Sequence, residues 1–171
     1  MRSHPHTCFL MLAAAVSLAS ALPAQADMDK TAVLDSLDAR YEGYRDIAHS
    51  LWESPELGYL ETQSVETLSA ALAAEGFAIE AGVAGIPTAF TATFGSGEPV
   101  IGILGEYDAL PGMSQSAVPF EEARVSGEPG QACGHHLFGT ASLAAAVAAK
   151  DWLQANGASG TIRFYGTPAE E

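Results

Sequence analysis

Two places in the sequence hold side chains that could bind a metal ion and activate a water molecule. Cys133 and His135 lie two positions apart, and Glu170 and Glu171 are adjacent at the end of the chain. Thiolate, imidazole and carboxylate groups are the usual ligands of divalent transition metals. Adjacent residues past the end of a strand point to opposite sides, so one carboxylate can bind metal while the other acts as a general base. These residues predict a metal-dependent hydrolase.

The N-terminus predicts export, which bears on the chemistry of Cys133. Residues 1–26 have a polar start with one arginine, an apolar run and small residues before Asp27, as in a secretory signal peptide. We therefore expect a periplasmic or secreted protein without a membrane anchor after signal removal, because the apolar run is too short to span a bilayer. Cys133 is then the only cysteine left. It could be a buried thiol, a reactive thiol or a metal ligand, and the neighbouring histidines favour the ligand.

Composition excludes several classes of protein. The chain has 171 residues, of which 48% are hydrophobic and 16% charged, which is typical of one folded domain. The formal net charge is −14. A polyanion would be repelled by such a surface, so nucleic acid is not expected as a partner.

The hydrophobic periodicity alternates between helical and extended patterns. Helices are predicted over 28–52, 61–75 and 137–155, and strands over 77–80, 88–94, 100–104 and 161–165. This order predicts an α/β domain with a largely parallel sheet flanked by helices, whose ligands bind at the carboxyl ends of the strands. Residues 111–130 have no periodicity and predict a long loop.

Glu106 and Asp108 follow a predicted strand with the same side-chain parity, so both could point into a site at its carboxyl end. Alone this signal is weak, because acidic residues after strands commonly cap or turn the chain. Beside His135 it gains weight, since a metal-bound imidazole usually donates its other N–H to a carboxylate.

Four segments carry a family resemblance, in the family's own order. They occupy residues 46–60, 106–112, 132–135 and 160–171. Together they resemble the amidohydrolase branch of the zinc carboxypeptidase and aminoacylase family of metallopeptidases. The resemblance implies a metallopeptidase catalytic domain, two divalent metal ions (zinc or manganese), and hydrolysis of the amide bond of an N-acyl or N-aroyl amino acid.

The resemblance also implies roles for individual residues. Cys133, His135 and Glu171 match metal ligands, Glu170 matches the general base, and Asp108 matches the aspartate held beside the ligands.

Two positions depart from the family pattern. Glu106 stands where other branches have a histidine ligand. His136 stands where the family commonly has Asp or Asn, so it is either an extra ligand or a neutral replacement, and we favour replacement. Glu106 and His136 are therefore further candidates for the site, beside the residues that match the family pattern.

Members of the family continue for a few hundred residues, with an inserted dimerisation domain and further histidine ligands. Residues 27–171 are therefore expected to be the N-terminal portion of a catalytic domain whose complete protein is a homodimer or heterodimer. Alternatively, the chain is an inactive metal-binding fragment. A further alternative is a thiol hydrolase with Cys133 as nucleophile, its pKa depressed at a helix N-terminus. The adjacent glutamates argue against a thiol hydrolase, which has no use for them.

Overall fold

The computed structural model describes residues 30–171, so the predicted signal peptide lies outside the described residues. The elements, in chain order, are α1 (Lys30–Ala39), α2 (Tyr41–Glu53), α3 (Thr62–Ala74), β1 (Ala78–Ala81), β2 (Phe90–Ser96), β3 (Val100–Glu106), α4 (His135–Asn156) and β4 (Gly160–Thr167). The predicted α/β class is confirmed. None of the helices in this part of the chain is long and apolar enough to cross a membrane.

The sheet is mixed, which corrects the expectation of a largely parallel one. Its strand order is β1-β2-β4-β3, and only the β3–β4 pair is parallel. The physical reason is connection length, since a parallel crossover requires a dozen or more residues. Residues 82–89 and 97–99 are too short for that, whereas the long loop and α4 provide it between β3 and β4.

The parallel pair determines where the chemistry lies. β3 and β4 end at the same edge of the sheet, with Glu106 opposite Thr167 in the register. Residues that follow either strand therefore emerge side by side. This topology brings the segment after β3 and the end of the chain together, although they are some sixty positions apart in the sequence.

Helix α4 packs closely on the same edge of the sheet. A Cβ atom added to Gly139 would lie 2.5 Å from the carbonyl oxygen of Glu106, so only glycine permits this approach. Farther along α4, Leu143 and Val147 are buried against the aromatic core of the sheet. The core therefore fixes the first turn of α4 beside the carboxyl end of β3.

The predicted helix over 28–52 is two helices. Arg40 separates them with a non-helical backbone (φ −104°, ψ 1°). Its guanidinium lies 2.9 Å from Asp151 on α4 and 3.6 Å from Glu75, the residue that follows α3. The helix is therefore interrupted at a residue that forms ion pairs with distant parts of the chain, and the hydrophobic periodicity gives no sign of this interruption.

Residues 111–130 contain no helix or strand, in agreement with the predicted long loop. Its ends are paired through the backbone of Leu110 and Gly130. Within it, Arg124 forms an ion pair with Glu53 and stacks over Trp52 at 4.6 Å from the ring centre. The loop is thereby attached to the end of α2.

Candidate metal centre

Three segments converge at the carboxyl ends of β3 and β4. The first carries Glu106 and Asp108, the second carries Cys133 and His135 at the start of α4, and the third is the end of the chain. Gly134 adopts a left-handed conformation (φ 95°) immediately before α4. This turn lets the chain enter the helix with His135 as its first residue, buried at 4% exposure.

The ring of His135 is oriented by Asp108. Its Nδ1 atom lies 2.9 Å from Oδ1 of Asp108, whose side chain is almost fully buried. The other oxygen of Asp108 accepts a hydrogen bond from the backbone N–H of Glu171 at 3.0 Å. When the carboxylate accepts from Nδ1–H, the lone pair of Nε2 remains available for a metal ion. Asp108 thus fixes both the imidazole and the backbone of Glu171.

The Nε2 atom of His135 faces three carboxylates. Glu106 lies 3.2 Å away, Glu170 3.7 Å and Glu171 3.8 Å. Two sets of three donors result, and within each set all ligand atoms lie within 4.8 Å of one another. One set comprises Cys133, His135 and Glu171, and the other comprises Glu106, His135 and Glu170.

The donor chemistry fits divalent metal ions. A thiolate, an imidazole and carboxylates match the sulfur, nitrogen and oxygen ligands of zinc, and the carboxylate-rich set also suits manganese. His135 is shared by the two sets. The residues present can therefore hold a divalent ion, and their arrangement is compatible with two neighbouring ions.

Carboxylates dominate the electrostatics of the cluster in the described part of the chain. Burial raises the pKa of Glu106; His135 opposes the effect, and the charges of Glu170, Asp108 and Glu171 add to it. Negative charge therefore accumulates around one imidazole. A divalent ion would relieve that repulsion.

The thiol of Cys133 is not activated, which corrects the expectation of a depressed pKa at a helix N-terminus. A hydrogen bond to Glu171 raises its pKa, and burial and the charges of Glu171, Glu170 and Glu106 act in the same direction. These nearby carboxylates disfavour the charged form of the thiol. This environment disfavours the free thiolate that a nucleophilic cysteine needs.

The structure brings Glu106 into the cluster and leaves His136 out of it. His136 belongs to neither donor set, and its Nδ1 atom is buried with no hydrogen-bond partner in the described part of the chain. Burial, followed by the charge of His135, lowers its pKa. Its backbone N–H donates to Gln131. The position of His136 outside both donor sets favours the interpretation as a neutral replacement. That interpretation and the roles of the other site residues stay predictions.

Sequence reasoning missed residues that support the end of the chain. Glu61 is fully buried and accepts a hydrogen bond from the N–H of Ala169 at 2.9 Å. Gly58 lies against Ala169 so closely that an added Cβ would be 2.9 Å from the Cβ of Ala169. Both lie in or next to the first resemblance segment, but nothing in the local pattern indicates a contact across more than a hundred positions.

Comparisons with known proteins agree with this fold. Over 138 residues the chain is 49% identical to a subunit of p-aminobenzoyl-glutamate hydrolase from Escherichia coli (strain K12), covering 80% of the chain and 29% of the relative. It is 29% identical over 160 residues to Xaa-Arg dipeptidase of Mus musculus, covering 86% of the chain and 33% of the relative. No family model matches.

Among solved structures, the chain is similar to a dinuclear metal-binding peptidase of the M20 family from Bacillus subtilis. The two share 32% identity, with a TM-score of 0.62, over 78% of this chain and 36% of the other. The described residues therefore have the fold of an M20-type metallopeptidase domain.

The chain thus belongs to the metallopeptidase family that its motifs indicated, in the amidohydrolase branch. Among its curated relatives is a subunit of the p-aminobenzoyl-glutamate hydrolase of Escherichia coli, to which it is similar in sequence. The chain spans about a third of the length of the curated relatives it matches.

Proposed function

We propose that this chain supplies a metal-binding and proton-transfer centre for hydrolysis of the amide bond of an N-acyl or N-aroyl amino acid. A compound such as p-aminobenzoyl-glutamate is the representative substrate. The observation that carries the proposal is the convergence of Glu106, Cys133, His135 and the two terminal glutamates around one imidazole. The named hydrolase and dipeptidase relatives support the same class of reaction.

In this proposal Cys133, His135 and Glu171 hold metal, and Glu106 lies beside the second position. Asp108 keeps the imidazole oriented through its 2.9 Å hydrogen bond. Divalent metal, when bound, lowers the pKa of water and polarises the substrate carbonyl.

Glu170 acts as the general base and later as the general acid. Its side chain is 52% exposed, whereas that of Glu171 is 26% exposed, and the backbone of Glu171 is held by Asp108. The more exposed carboxylate is the one that can reach a water molecule on the substrate side. It accepts a proton from that water as the carbonyl is attacked and returns it to the leaving amine.

The remaining features of the proposal follow from the same relatives and from the sequence. We expect zinc or manganese at two positions, a small amide substrate, and a complete protein that assembles as a homodimer or heterodimer. One relative is named as a subunit, which supports an assembly with another chain. The predicted signal peptide supports a periplasmic or secreted location.

The first test is metal titration of residues 27–171, with His135→Asn compared with His49→Asn. His49 is an exposed histidine on α2 and serves as the matched control. We expect His135→Asn to weaken binding of zinc or manganese by roughly ten-fold or more, and His49→Asn to leave it unchanged. Circular dichroism of both variants verifies the fold. Equal affinities would overturn the proposed metal centre.

The second test is hydrolysis of p-aminobenzoyl-glutamate by the chain alone and by a chimera extended with the remaining residues of the Escherichia coli relative. We expect metal-dependent hydrolysis by the chimera. Metal binding without hydrolysis in either form would favour the alternative of an inactive metal-binding fragment. Hydrolysis that survives chelation but not Cys133→Ser would favour the thiol hydrolase.

A further inference from the structure

Glu61 occupies an unusual position for a charged side chain. It is the residue before the first turn of α3, where a side-chain oxygen ordinarily accepts hydrogen bonds from the second and third N–H groups of the helix. Its side chain makes no such cap, and the residue is fully buried. A buried carboxylate is costly unless it is paired, so its location requires another explanation.

A different carboxylate caps α3. Glu56 accepts hydrogen bonds from the N–H groups of Gln63 at 3.0 Å and Ser64 at 2.8 Å, and from the hydroxyl groups of Thr62 and Ser64. The helix therefore has its N-terminal acceptor without using the side chain of Glu61. Two nearby glutamates thus have separate partners, and only one of them serves α3.

Glu61 instead holds the segment that carries the terminal glutamates. One of its oxygens accepts the N–H of Ala169, and the other is buried with no partner in the described residues. Ala169 has a left-handed backbone (φ 54°), a conformation that alanine rarely adopts. Surrounding contacts must impose it, and Gly58 provides the space against which Ala169 packs.

Two buried carboxylates therefore bind alternate N–H groups at the end of the chain. Glu61 binds that of Ala169, and Asp108 binds that of Glu171. A hydrogen bond to a charged acceptor is about twice as strong as one between neutral groups, so together they restrict the backbone on both sides of Glu170.

We propose that Glu61 is a positioning residue that fixes Ala169 and thereby places Glu170 and Glu171 against His135. The inference rests on the proposed function for its consequence in catalysis. Its structural part, the restraint of Ala169 by Glu61, can be tested in the metal-free chain.

The test compares Glu61→Leu and Glu61→Gln with Glu56→Gln as the matched control. In the metal-free chain, we expect Glu61→Leu to accelerate amide hydrogen exchange at Ala169 and Glu171 by roughly ten-fold or more. The amide of Glu61→Gln keeps an acceptor and should restore most of the protection. Glu56→Gln should lower the free energy of unfolding, because it weakens the cap of α3. Once exchange is corrected for global unfolding, the protection of the Ala169 amide should be the same as in the wild-type chain.

Metal titration supplies the second readout. We expect Glu61→Leu to weaken zinc affinity by roughly ten-fold, as for other groups that orient ligands, and Glu56→Gln to have no such effect. Should the wild-type chain bind no metal, the proposed function fails, whereas the exchange at Ala169 still decides the role of Glu61. Unchanged exchange at Ala169 in Glu61→Leu would overturn the inference.

If Glu61→Leu does not fold, a pair of packing variants at Gly58 and Ala169 provides a second test. Gly58→Ala places a methyl group against Ala169 and should reproduce the faster exchange and weaker metal binding. Adding Ala169→Gly removes the opposing methyl group and suits the left-handed backbone, so the double variant should recover at least half of either loss. No change in Gly58→Ala, or no recovery in the double variant, would contradict the inference.

Discussion

The molecule has two clusters of ionisable groups, one at the carboxyl edge of the sheet and one among the helices. They contain similar residue types but differ in their charge balance. The candidate metal centre surrounds His135 with carboxylates and a thiol. In the other, Lys150 lies 2.7 Å from Glu75 and 2.9 Å from Asp151, and Arg40 lies 2.9 Å from Asp151. The helix cluster thus pairs two cations with two carboxylates, whereas within residues 30–171 no lysine or arginine forms a salt bridge with the carboxylates of the candidate metal centre.

The pKa directions differ accordingly. Burial opposes ionisation of Asp151, but the hydrogen bond and charge of Lys150, together with Arg40, lower its pKa below the ordinary value. Burial also opposes the charged form of Lys150, and its bonds to Glu75 and Asp151 outweigh that effect and raise its pKa. Glu106 in the candidate metal centre has a raised pKa instead, because burial and then the neighbouring carboxylates outweigh the opposing effect of His135.

The comparison shows how charge balance separates a structural ion cluster from a ligand site. Where cations are supplied by the chain, the carboxylates stabilise the packing of helices. Where they are not supplied, the carboxylates repel one another, and a cation from solution would relieve the repulsion.

The largest expected effect on stability is in the helix cluster. Lys150→Met removes one cation from between two partly buried carboxylates, and we expect the free energy of unfolding to fall by about 3 kcal/mol. Urea denaturation measures the change, with the exposed Lys30→Met as the control. Zinc affinity should be unchanged. A fall in zinc affinity would show that the two clusters are not independent.

Replacing the thiol is expected to affect metal binding. Cys133→Ser removes a soft donor, so zinc affinity should fall by roughly ten-fold or more, with little change in the stability of the metal-free chain. Isothermal titration in the reduced protein checks this. Unchanged zinc affinity would indicate that Cys133 is not a ligand.

The pH dependence of stability should identify the helix cluster. Because the pKa of Asp151 is lower in the folded than in the unfolded chain, its contribution is present above the ordinary range of an aspartate and is lost as pH falls through the folded value. Asp151→Asn should therefore cost about 1 to 3 kcal/mol at pH 7 and progressively less on acidification below about pH 4. Asp38→Asn, at an exposed position on α1, is the control. A cost independent of pH would exclude the ion-pair explanation.

The smallest expected effect is a gain in stability. Glu106→Gln removes a carboxylate whose charged form is disfavoured first by burial and then by its acidic neighbours, so the metal-free chain should melt at a slightly higher temperature above about pH 5. The pKa of Glu106 is raised on folding, and its charge therefore costs stability as pH rises through that range. Thermal melts in the presence of a chelator measure the metal-free chain, and the same melts with excess zinc measure the metal-bound chain. A lower melting temperature in the metal-free state would contradict the account in which the charge of Glu106 costs stability.

The sequence predicted the parts of this molecule that depend on local pattern. Periodicity predicted α3 and α4 closely, and the polar residues after β3 and β4 were expected at the carboxyl end of the sheet. Sheet direction was mispredicted because alternation shows that a strand exists but not its neighbour. Short connections, which force successive strands to run in opposite directions, were the available clue.

The support of the site could not be read from the sequence. The hydrogen bond between Glu61 and Ala169 joins residues 108 positions apart, and no local pattern predicts it. Similarly, the break at Arg40 accompanies contacts with Glu75 and Asp151 in distant parts of the chain. Tertiary contacts override local propensity at such positions.

The most direct test of the central claim is a comparison of Glu170→Gln with Glu171→Gln. Zinc affinity is measured in chains with a short Gly-Ser extension, so that the terminal carboxylate cannot replace a side chain, and hydrolysis of p-aminobenzoyl-glutamate is measured in the chimera. We predict that Glu170→Gln retains zinc and loses activity by roughly 10² to 10⁴-fold, because the amide cannot accept a proton. Glu171→Gln should instead lose zinc affinity by roughly ten-fold or more. Loss of zinc in Glu170→Gln with retention in Glu171→Gln would reverse the roles, and full activity in both would contradict the account.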